Sequence, residues 1–519
     1  MTTNLAKIFT QIPILAIAPA KIPTLTITGI ALDSRQVQPG YLFVALTGGS
    51  TDGHRYIPAA VAQGAVAVVG QQSAEGYSLP VPYIQVEDTR QALAYLSAAF
   101  YDFPARRLTV IGVTGTDGKT TTSNLLYTIL KHAGKRVGII STVNAVIGNE
   151  VIDTGFHVTT PEAPDVQHYL AQMAAAGLTH VVLEATSHGL AQERVTACEF
   201  DIGVVTNITH EHLDYHGSYA AYRAAKARLF QHLLGTVEKP QGNPRLAVLN
   251  YDDQSFDFLN DFTQTNKLSY GLDPHALVRA ADVHYSPSGM QFTAHFPDGQ
   301  QVEVHSYLVG KYNVSNILAA MTAAVSGLGI SPQQAAAGVG QLDLIPGRME
   351  HIHLGQDFTA IVDFAHTPNA LKVTLETARE MTGGRVLAVF GSAGLRDREK
   401  RRMMAEISAQ LADLTFLTAE DPRTESLDAI LAEMAQAATA QGGIEGQTFW
   451  RVPDRREAIR IAVNMAQPGD LVLALGKGHE QSMCFDVTEY PWDDRTAMRA
   501  ALAERLKLPG YAMPFLPNP

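Results

Sequence analysis

The sequence predicts an α/β protein of three domains, and three observations support that prediction. The chain has 519 residues with 46% hydrophobic content, more than a single core of ordinary size accommodates. Through the middle of the chain, short buried-strand candidates alternate with helix-length segments, which is typical of a doubly wound sheet. A second alternation of this kind begins near Leu344 and indicates a separate C-terminal domain.

The first predicted domain, residues 1–105, is the smaller α/β unit. Apolar runs at 42–46, 66–69 and 83–86 alternate with turns rich in Gly and Pro, as in small α/β domains. The apolar segment 8–20 has some features of a signal peptide, but Pro13 and Pro19 interrupt it. No apolar run reaches the ~18 residues that a membrane span needs. We therefore expect a cytoplasmic protein that does not insert into membranes.

The second predicted domain, residues 106–342, contains a P-loop and a mostly parallel sheet. A β-rich run at 108–113 precedes a glycine loop, and residues 120–131 then continue without Gly or Pro. This pattern predicts a strand, a loop and a helix. The further strand candidates of this domain are residues 137–140, 181–183, 202–205 and 246–249.

The third predicted domain, residues 343–519, repeats the strand and helix alternation and is expected to be Rossmann-like. Its strand candidates are residues 360–364, 386–390, 414–417 and 471–475. No internal repeat or low-complexity tract interrupts the chain, so the three domains are predicted to be different from one another.

Charge and cysteine content exclude several classes of function. Lys and Arg total 39 against 51 Asp and Glu, a net charge of -12, so sequence-independent binding of nucleic acid is not expected. The two cysteines, Cys198 and Cys484, lack the spacing of metal ligands. This argues against a zinc site or a disulfide framework and fits a reducing compartment.

The strongest local motif is a variant phosphate loop between the predicted strand and helix. Its glycines let backbone N–H groups approach phosphate oxygens, its lysine reaches the terminal phosphates, and the threonine after it can ligate magnesium. The spacing is shortened, because Val113 stands where the common loop has its first glycine. ATP is the expected cofactor. The loop consists of Gly115, Thr116, Asp117, Gly118, Lys119, Thr120 and Thr121.

Two polar segments follow strand candidates of the same domain. Glu184 ends one strand candidate, and His212 lies in a histidine-rich stretch after another. Side chains at strand ends lie where a nucleotide binds in an open α/β sheet, so a carboxylate and an imidazole there could hold Mg²⁺. Taken singly, each histidine fits better as an ordinary core or surface residue, but the four histidines of these two segments together favour a site. Lys226 alone would be interpreted as a solvated helix lysine.

Several further motifs occur in one order along nearly the whole chain. They are Asp33-Ser34-Arg35, Asp52-Gly53-His54, Thr159-Thr160-Pro161, Ser187 with Gln192 and Arg194, Gly310 with Asn313 and Asn316, Arg348 with Asp363, residues 391–397 including Arg396, Glu420-Asp421-Pro422-Arg423, and Gly476-Lys477-Gly478-His479-Glu480. Together with the phosphate loop they resemble the Mur ligases, and within them the UDP-N-acetylmuramoyl-tripeptide synthetases. So many motifs in this order argue against accidental similarity.

The resemblance implies an activity and a set of site residues. The activity is ATP-dependent addition of a diamino acid to UDP-N-acetylmuramoyl-L-alanyl-D-glutamate through an acyl phosphate, in peptidoglycan synthesis, by a protein expected to be a monomer. The implied ATP contacts are the phosphate loop with Asn313, Asn316, Arg348 and Asp363. The implied contacts of the UDP substrate are Ser34, Thr159, Thr160, Ser187, Gln192 and Arg194. The implied catalytic and magnesium-binding residues are Lys119, Thr120, Glu184, His212 and a carbamate on Lys226.

The implied acceptor site contains Arg396, Glu420, Asp421, Arg423, Gly476 and Glu480. Arg396 and Arg423 would suit the second carboxylate of meso-diaminopimelate. Glu420 and Asp421 depart from the aspartate-asparagine pair of diaminopimelate-adding members, and two carboxylates with Arg423 tied to them favour L-lysine or L-ornithine. Alternatively, both acids merely cap the helix predicted over 427–440. The sequence favours a basic diamino acid over diaminopimelate by a narrow margin.

Two other classes of function remain open from the residues alone. A P-loop ATPase that acts as a switch would hydrolyse ATP without a sugar peptide, and a muramoyl-peptide binding protein would not need Lys119, Thr120, Glu184 and His212. A folate polyglutamylating enzyme shares the general architecture, but the segment Asp33-Ser34-Arg35 is unexpected there.

Overall fold

The computed structural model describes residues 2–12, 22–48, 51–73, 78–143, 145–148, 150–152, 160–209, 211, 213–286 and 289–517. Two predicted site residues, Thr159 and His212, lie outside the described residues, as does most of the segment 8–20. In the described part of the chain, no helix combines the length and apolarity needed to cross a membrane.

The N-terminal part contains a small parallel sheet that is covered by helices, as predicted. Its strands run in the order β3-β4-β5-β6. The strands β1 and β2 form a separate antiparallel pair before it. The strands are β1 Thr3–Asn4, β2 Thr26–Ile27, β3 Gly29–Ala31, β4 Tyr41–Val44, β5 Ala67–Gly70 and β6 Tyr83–Gln85. The helices are α1 Leu5–Thr10, α2 Ile57–Ala62 and α3 Thr89–Phe100.

The central part contains a sheet of eleven strands in the order β10-β9-β8-β11-β7-β12-β13-β14-β15-β16-β17. The strands are β7 Thr109–Thr114, β8 Val137–Ile140, β9 Ala145–Ile147, β10 Glu150–Ile152, β11 His180–Glu184, β12 Ile202–Val205, β13 Leu246–Asn250, β14 Asn266–Gly271, β15 Val278–Ser286, β16 Gly289–His295 and β17 Gln301–Ser306. The helices are α4 Lys119–His132, α5 Ala163–Ala175, α6 Ser187–Ala191, α7 Leu213–His216, α8 Tyr219–Gly235, α9 Phe256–Phe262, α10 Tyr312–Thr322 and α11 Pro332–Val339.

The predicted parallel strands form the middle of this sheet, and antiparallel strands extend it at both ends. In the sheet order, all neighbouring strands from β8 to β15 pair parallel. The antiparallel pairs are β8 with β9, β9 with β10, β15 with β16, and β16 with β17. The sequence analysis did not identify β14 to β17. In β15 and β16, residues that face the core alternate with less buried ones. The core-facing residues include Val278, Ala280, Phe292 and Ala294. This alternation is typical of a sheet with one covered face.

The C-terminal part is a six-stranded sheet in the order β18-β19-β23-β20-β21-β22, parallel except for β18. The strands are β18 Glu350–His351, β19 Thr359–Asp363, β20 Val386–Phe390, β21 Leu414–Leu417, β22 Phe449–Arg451 and β23 Leu471–Leu475, followed by the hairpin β24 Ser482–Phe485 and β25 Thr488–Pro491. The helices are α12 Pro368–Met381, α13 Arg398–Leu411, α14 Leu427–Ala440, α15 Arg455–Met465 and α16 Asp494–Leu506.

The strand order brings the predicted motifs together at two sheet edges. In the central sheet, β11, β7 and β12 are neighbours, so Glu184, the phosphate loop and Thr206 all lie at one set of carboxyl ends. In the C-terminal sheet, β23, β20 and β21 are neighbours, and Gly476, Gly391 and the segment 420–423 follow them. Both places are where open α/β sheets bind ligands.

Candidate active site

The phosphate loop connects β7 to α4, and its lysine is the first residue of the helix. Lys119 Nζ donates to the carbonyl oxygens of Gly115 at 3.1 Å and Thr116 at 2.8 Å. Gly118 has φ +80, and a Cβ there would lie 2.3 Å from Asn316 Oδ1, so this position requires glycine. The free N–H groups of the first helical turn, with Lys119 beside them, form an anion site.

Thr206 and Asn207, which directly follow β12, hold this loop in place. Asn207 accepts the N–H of Thr116 on its carbonyl at 2.7 Å and the N–H of Asp117 on Oδ1 at 3.0 Å. Thr206 Oγ1 donates to the Asp117 carbonyl at 2.6 Å. The sequence analysis assigned no role to Thr206 or Asn207, although their position directly after a buried strand was a usable signal.

Glu184 is fully buried beside the loop with one carboxylate oxygen unsatisfied. Its Oε2 accepts from Thr142 Oγ1 at 2.7 Å and Thr120 Oγ1 at 3.3 Å, while Oε1 has no partner among the described residues. Burial raises the pKa of Glu184. A buried, unpaired carboxylate oxygen next to a loop threonine fits a hard cation such as Mg²⁺. Thr142 was not predicted from the sequence.

Lys226, on α8, is buried rather than solvated. The residue is only 2% exposed, and its Nζ donates to the Gly115 carbonyl at 2.6 Å. The ammonium lies 4.6 Å from the centroid of the Tyr222 ring, and the Tyr222 hydroxyl is 3.0 Å from Thr116 Oγ1. Burial and then the nearby Lys119 lower the pKa of Lys226 well below its ordinary value, which favours a neutral amine.

A second cluster adjoins Glu184 on the side of the predicted muramoyl-peptide contacts. Arg194 donates to the Thr160 carbonyl at 2.8 Å and to Gln192 Oε1 at 2.7 Å, and its Nη2 is 2.8 Å from Glu162 Oε1. Thr160 Oγ1 donates to the Glu184 carbonyl at 3.0 Å. Thr160 therefore connects the guanidinium of Arg194 to the backbone at Glu184. Glu162 was not singled out in the sequence.

The two remaining predicted contacts of the UDP substrate differ in position. Ser187 is the buried first residue of α6, which Thr186 caps by accepting the N–H of Gly189 at 3.0 Å. It therefore lies three residues from Glu184. Ser34 is buried in a short 3-10 helix, Ser34–Gln36, that follows β3. The described contacts do not join Ser34 to the Arg194 cluster.

The predicted ATP contacts on α10 and just before β18 reach the loop from the opposite side. Asn316 Oδ1 accepts from Thr122 Oγ1 at 3.4 Å, and its Nδ2 donates to Asn313 Oδ1 at 2.9 Å. Arg348 Nη2 donates to Thr120 Oγ1 at 3.3 Å. The guanidinium of Arg348, one of the ATP contacts that the resemblance implies, therefore lies beside the phosphate loop.

Asp363 and the start of α12 complete this side of the site. Asp363 accepts the N–H of Met349 at 2.8 Å and the N–H of Ala365 at 2.9 Å, so its carboxylate fixes the segment around Arg348. Asn369 Nδ2 donates to Asp117 Oδ2 at 3.0 Å. The C-terminal part of the chain thus contacts the phosphate loop directly.

The acceptor segments form an ion-pair cluster around a buried lysine that was not among the predicted acceptor residues. Lys477 Nζ lies 3.0 Å from Asp421 Oδ1 and 2.5 Å from Glu480 Oε2. Arg423 instead donates to the Gly394 carbonyl at 3.3 Å. The expectation that acidic neighbours tie up Arg423 is therefore wrong, because Asp421 pairs with Lys477.

Glu420 differs from its neighbour in having no hydrogen bond or ion pair within the described ranges. A Cβ on Gly476 would lie 3.1 Å from Glu420 Oε2, so this carboxylate faces the loop after β23. Burial raises the pKa of Glu420 to about 7, although Lys400 and Lys477 act in the opposite direction. Neither Glu420 nor Asp421 caps α14, because Ser426 accepts the N–H of Ala429 there.

Arg396 lies on an exposed part of the loop between β20 and α13. The backbone before it is anchored to the acceptor motif, since the N–H of Gly394 donates to the Asp421 carbonyl at 2.9 Å and the N–H of Leu395 to Glu425 Oε2 at 2.9 Å. The loop carrying Arg396 and the segment carrying Arg423 are therefore held side by side.

A buried arginine fixes two of the acceptor loops to each other. Arg455 donates to the carbonyl of Ala419 at 3.2 Å and to that of Leu475 at 2.8 Å, the residues just before Glu420 and Gly476 in the sequence. Asp494 accepts from Arg455 Nε at 2.8 Å and from the Trp492 indole N–H at 2.8 Å. Such a fully hydrogen-bonded buried pair is costly to break.

Comparison with known proteins relates the chain to one family of enzymes. Three family models match the chain: "Mur ligase family, catalytic domain" over residues 26–101, "Mur ligase middle domain" over 113–324, and "Mur ligase, glutamate ligase domain" over 347–478. A UDP-N-acetylmuramyl-tripeptide synthetase from Roseiflexus sp. is 44% identical over 94% of this chain and 97% of its own length.

Two further similarities extend this comparison. A UDP-N-acetylmuramoyl-L-alanyl-D-glutamate–2,6-diaminopimelate ligase from Geobacillus thermodenitrificans is 40% identical over 92% of this chain and 95% of its own length. A solved structure of another UDP-N-acetylmuramoyl-L-alanyl-D-glutamate–2,6-diaminopimelate ligase superposes with a TM-score of 0.65 at 33% identity, covering 98% of this chain and all of that one.

Proposed function

Because the chain belongs to the Mur ligase family, we propose that it joins a diamino acid to UDP-N-acetylmuramoyl-L-alanyl-D-glutamate with hydrolysis of ATP to ADP and phosphate. The observation that carries this proposal is the position of Thr160. Its hydroxyl donates to the Glu184 carbonyl, and its own carbonyl accepts from Arg194. An arginine suited to an acidic sugar peptide is thereby held beside a nucleotide site.

The proposed reaction has two steps. A carboxylate oxygen of the D-glutamate side chain attacks the γ-phosphorus of ATP, and the bond to the bridging oxygen of ADP breaks to give an acyl phosphate. The α-amine of the diamino acid then attacks the acyl carbon, forms the amide, releases phosphate and loses a proton. Lys119 and Arg348, both at the phosphate loop, would offset the charge on the transferring phosphoryl group.

The chemistry of the donor set supports a magnesium site at Glu184. The unpartnered Oε1, with the Thr120 hydroxyl 3.3 Å from Oε2, provides the oxygen ligands that Mg²⁺ prefers. Bound there, Mg²⁺ would supply positive charge to the phosphate oxygens. We propose His212 and a carbamate on Lys226 as further ligands. A neutral amine is the form that adds to carbon dioxide, yielding a carbamate anion and one proton, and the lowered pKa of buried Lys226 favours that form.

We also propose that each of the three parts of the chain binds a different substrate. Residues 1–105 would receive the UDP part of the substrate, residues 106–342 would bind ATP, and residues 343–519 would bind the incoming diamino acid. The contacts of Arg348 and Asn369 with the phosphate loop support a reaction in the cleft between the second and third parts.

The acceptor cluster favours a diamino acid whose far end carries only an ammonium group. Glu420 makes no hydrogen bond or ion pair within the described residues, and Lys477 is already paired with Asp421 and Glu480. A second carboxylate on the acceptor, as in meso-diaminopimelate, would meet the negative charge of Glu420 while Lys477 is already paired, and only Arg423, which donates to the Gly394 carbonyl, could offset that repulsion. We therefore propose L-lysine or L-ornithine as the preferred acceptor.

A direct test incubates the protein with UDP-N-acetylmuramoyl-L-alanyl-D-glutamate, ATP, magnesium and equal concentrations of L-lysine, L-ornithine and meso-diaminopimelate. Mass spectrometry of the product identifies the amino acid incorporated, and L-lysine or L-ornithine is expected. Predominant diaminopimelate would show that the acceptor proposal is wrong. ATP turnover at the same rate without any sugar peptide would contradict the ligase itself.

We expect Asp421→Asn to shift acceptor preference toward diaminopimelate by about tenfold, because Lys477 would lose one of its two anionic partners and could then pair with a substrate carboxylate. The ratio of products in the same competition measures this shift. Asp428→Asn, an exposed acid in the first turn of α14, is the matched control and should leave the ratio unchanged. An unchanged ratio in Asp421→Asn would exclude this role for the pair.

We expect the preference for a basic acceptor to depend on pH through Glu420. Because burial raises its pKa to about 7, the carboxylate is an anion above that pH and neutral below it. The apparent KM for L-lysine should therefore fall as pH rises from about 6 to about 8. Glu420→Gln removes this titration but leaves that of the attacking amine. A pH profile of KM that is the same in both proteins would refute the assignment.

A further inference from the structure

His479 belongs to the acceptor loop, residues 476–480, yet its contacts lie on the nucleotide side. Its Nδ1 is 3.3 Å from Arg348 Nη1, and Arg348 Nη2 donates to Thr120 Oγ1 of the phosphate loop. Two residues away, Lys477 pairs with Asp421. One short loop therefore contacts both substrate sites.

An aromatic ring supports this arrangement from one side. The Phe364 ring meets the imidazole edge to face at 5.0 Å between centroids, and the guanidinium carbon of Arg348 lies 4.5 Å from the Phe364 centroid. Stacking on an aromatic ring restricts a guanidinium and adds a cation–π attraction. His479 and Phe364 together leave Arg348 few alternative positions.

The backbones of the two loops also touch at a glycine. Gly347, which precedes Arg348, has φ +64, and a Cβ there would lie 2.1 Å from the backbone nitrogen of His479. Only glycine allows this approach. The positions of Arg348 and His479 are thus set by the same contact.

The protonation state of His479 suits it to accept a hydrogen bond from Arg348. Burial, and then the charge of Arg348, lower the pKa of His479 to about 2, so the imidazole is neutral. A neutral ring can accept from Arg348 on Nδ1. Arg348 directs its other terminal nitrogen, Nη2, to Thr120 Oγ1 at 3.3 Å.

We propose that His479 is a positioning residue that holds the guanidinium of Arg348 against the phosphate loop, so that the acceptor loop also orders the nucleotide site. This rests on the proposed function only in taking the phosphate loop as the ATP site. It does not depend on which diamino acid is used.

The test measures ADP binding to the full-length protein by calorimetry, without sugar peptide or diamino acid. His479→Leu should weaken ADP binding by about tenfold, because Arg348 loses a charge-assisted hydrogen bond that orients it. His479→Asn, whose side-chain oxygen can accept in place of Nδ1, should recover most of the affinity. His305→Leu, an exposed histidine on β17, is the control and should bind ADP like the wild type.

A double-mutant cycle separates positioning from general loss of structure. In an Arg348→Ala background, His479→Leu should change ADP affinity little further, because the group it positions is gone. Additive losses, or an Asn variant as weak as Leu, would overturn the proposal. Failure of the wild type to bind ADP would instead contradict the proposed function. The circular dichroism spectrum of each variant confirms that a folded protein is being measured.

Discussion

Replacement of Lys119 by alanine should reduce ligation by ~10²-fold or more, the loss expected when a group that stabilises transition-state charge is removed. The side chain lies at the start of α4 and bonds to the carbonyls of Gly115 and Thr116, within reach of a phosphate bound by the loop. The measurement is product formation at saturating ATP and sugar peptide.

The control for this variant is Lys131→Ala, an exposed lysine in the last turn of the same helix. It removes the same charge from α4 without touching the loop, and its turnover should equal that of the wild type. Turnover of Lys119→Ala close to that of Lys131→Ala would mean that this loop does not bind the transferred phosphate.

The second large effect is expected at Lys226. Lys226→Ala should also lose ~10²-fold or more of the activity, and formate or acetate should partly restore it, because the missing group is the carboxylate of a carbamate. Rescue by a small anion distinguishes this role from that of a cation. The measurement is ligation rate against formate concentration, with chloride at equal ionic strength as the control.

Lys226→Arg provides the opposite check. It places a permanent positive charge in the pocket between Gly115 and the Tyr222 ring but forms no carbamate, so it should be as inactive as the alanine variant. Full activity of Lys226→Arg would mean that a cation, and not a carbamate, is needed at this position.

Local patterns in the sequence predicted the strands beside which the candidate site residues lie, whereas the roles of the acceptor segments came from the resemblance. The phosphate loop, Glu184 and the segments after β20, β21 and β23 follow buried apolar runs, and strands of this kind place their carboxyl ends at one edge of a sheet. The helix predicted over 427–440 coincides with α14, Leu427–Ala440. The exact extents of the three domains remain predictions.

Pairings between distant residues could not be obtained in this way. Lys477 and Asp421 are 56 positions apart, and nothing in either segment indicates that they meet. Thr142 and Glu162 were missed for the same reason, since each acquires its role only through packing against Glu184 or Arg194. The motif around Asp421 suggested a partnership with Arg423 because the two are close in sequence, but both have positive φ, and this turn directs them to different partners.

The network of Arg455 and Asp494 has a spectroscopic consequence. The chain has two tryptophans, and both pack in the C-terminal sheet: Trp450 stacks on Phe416, and Trp492 donates its indole N–H to Asp494. Tryptophan emission of this protein therefore originates from the acceptor side alone. Since Asp494 also holds the arginine bound to both acceptor loops, a diamino acid that shifts those loops should alter the emission, whereas unfolding confined to the N-terminal sheet should leave it unchanged.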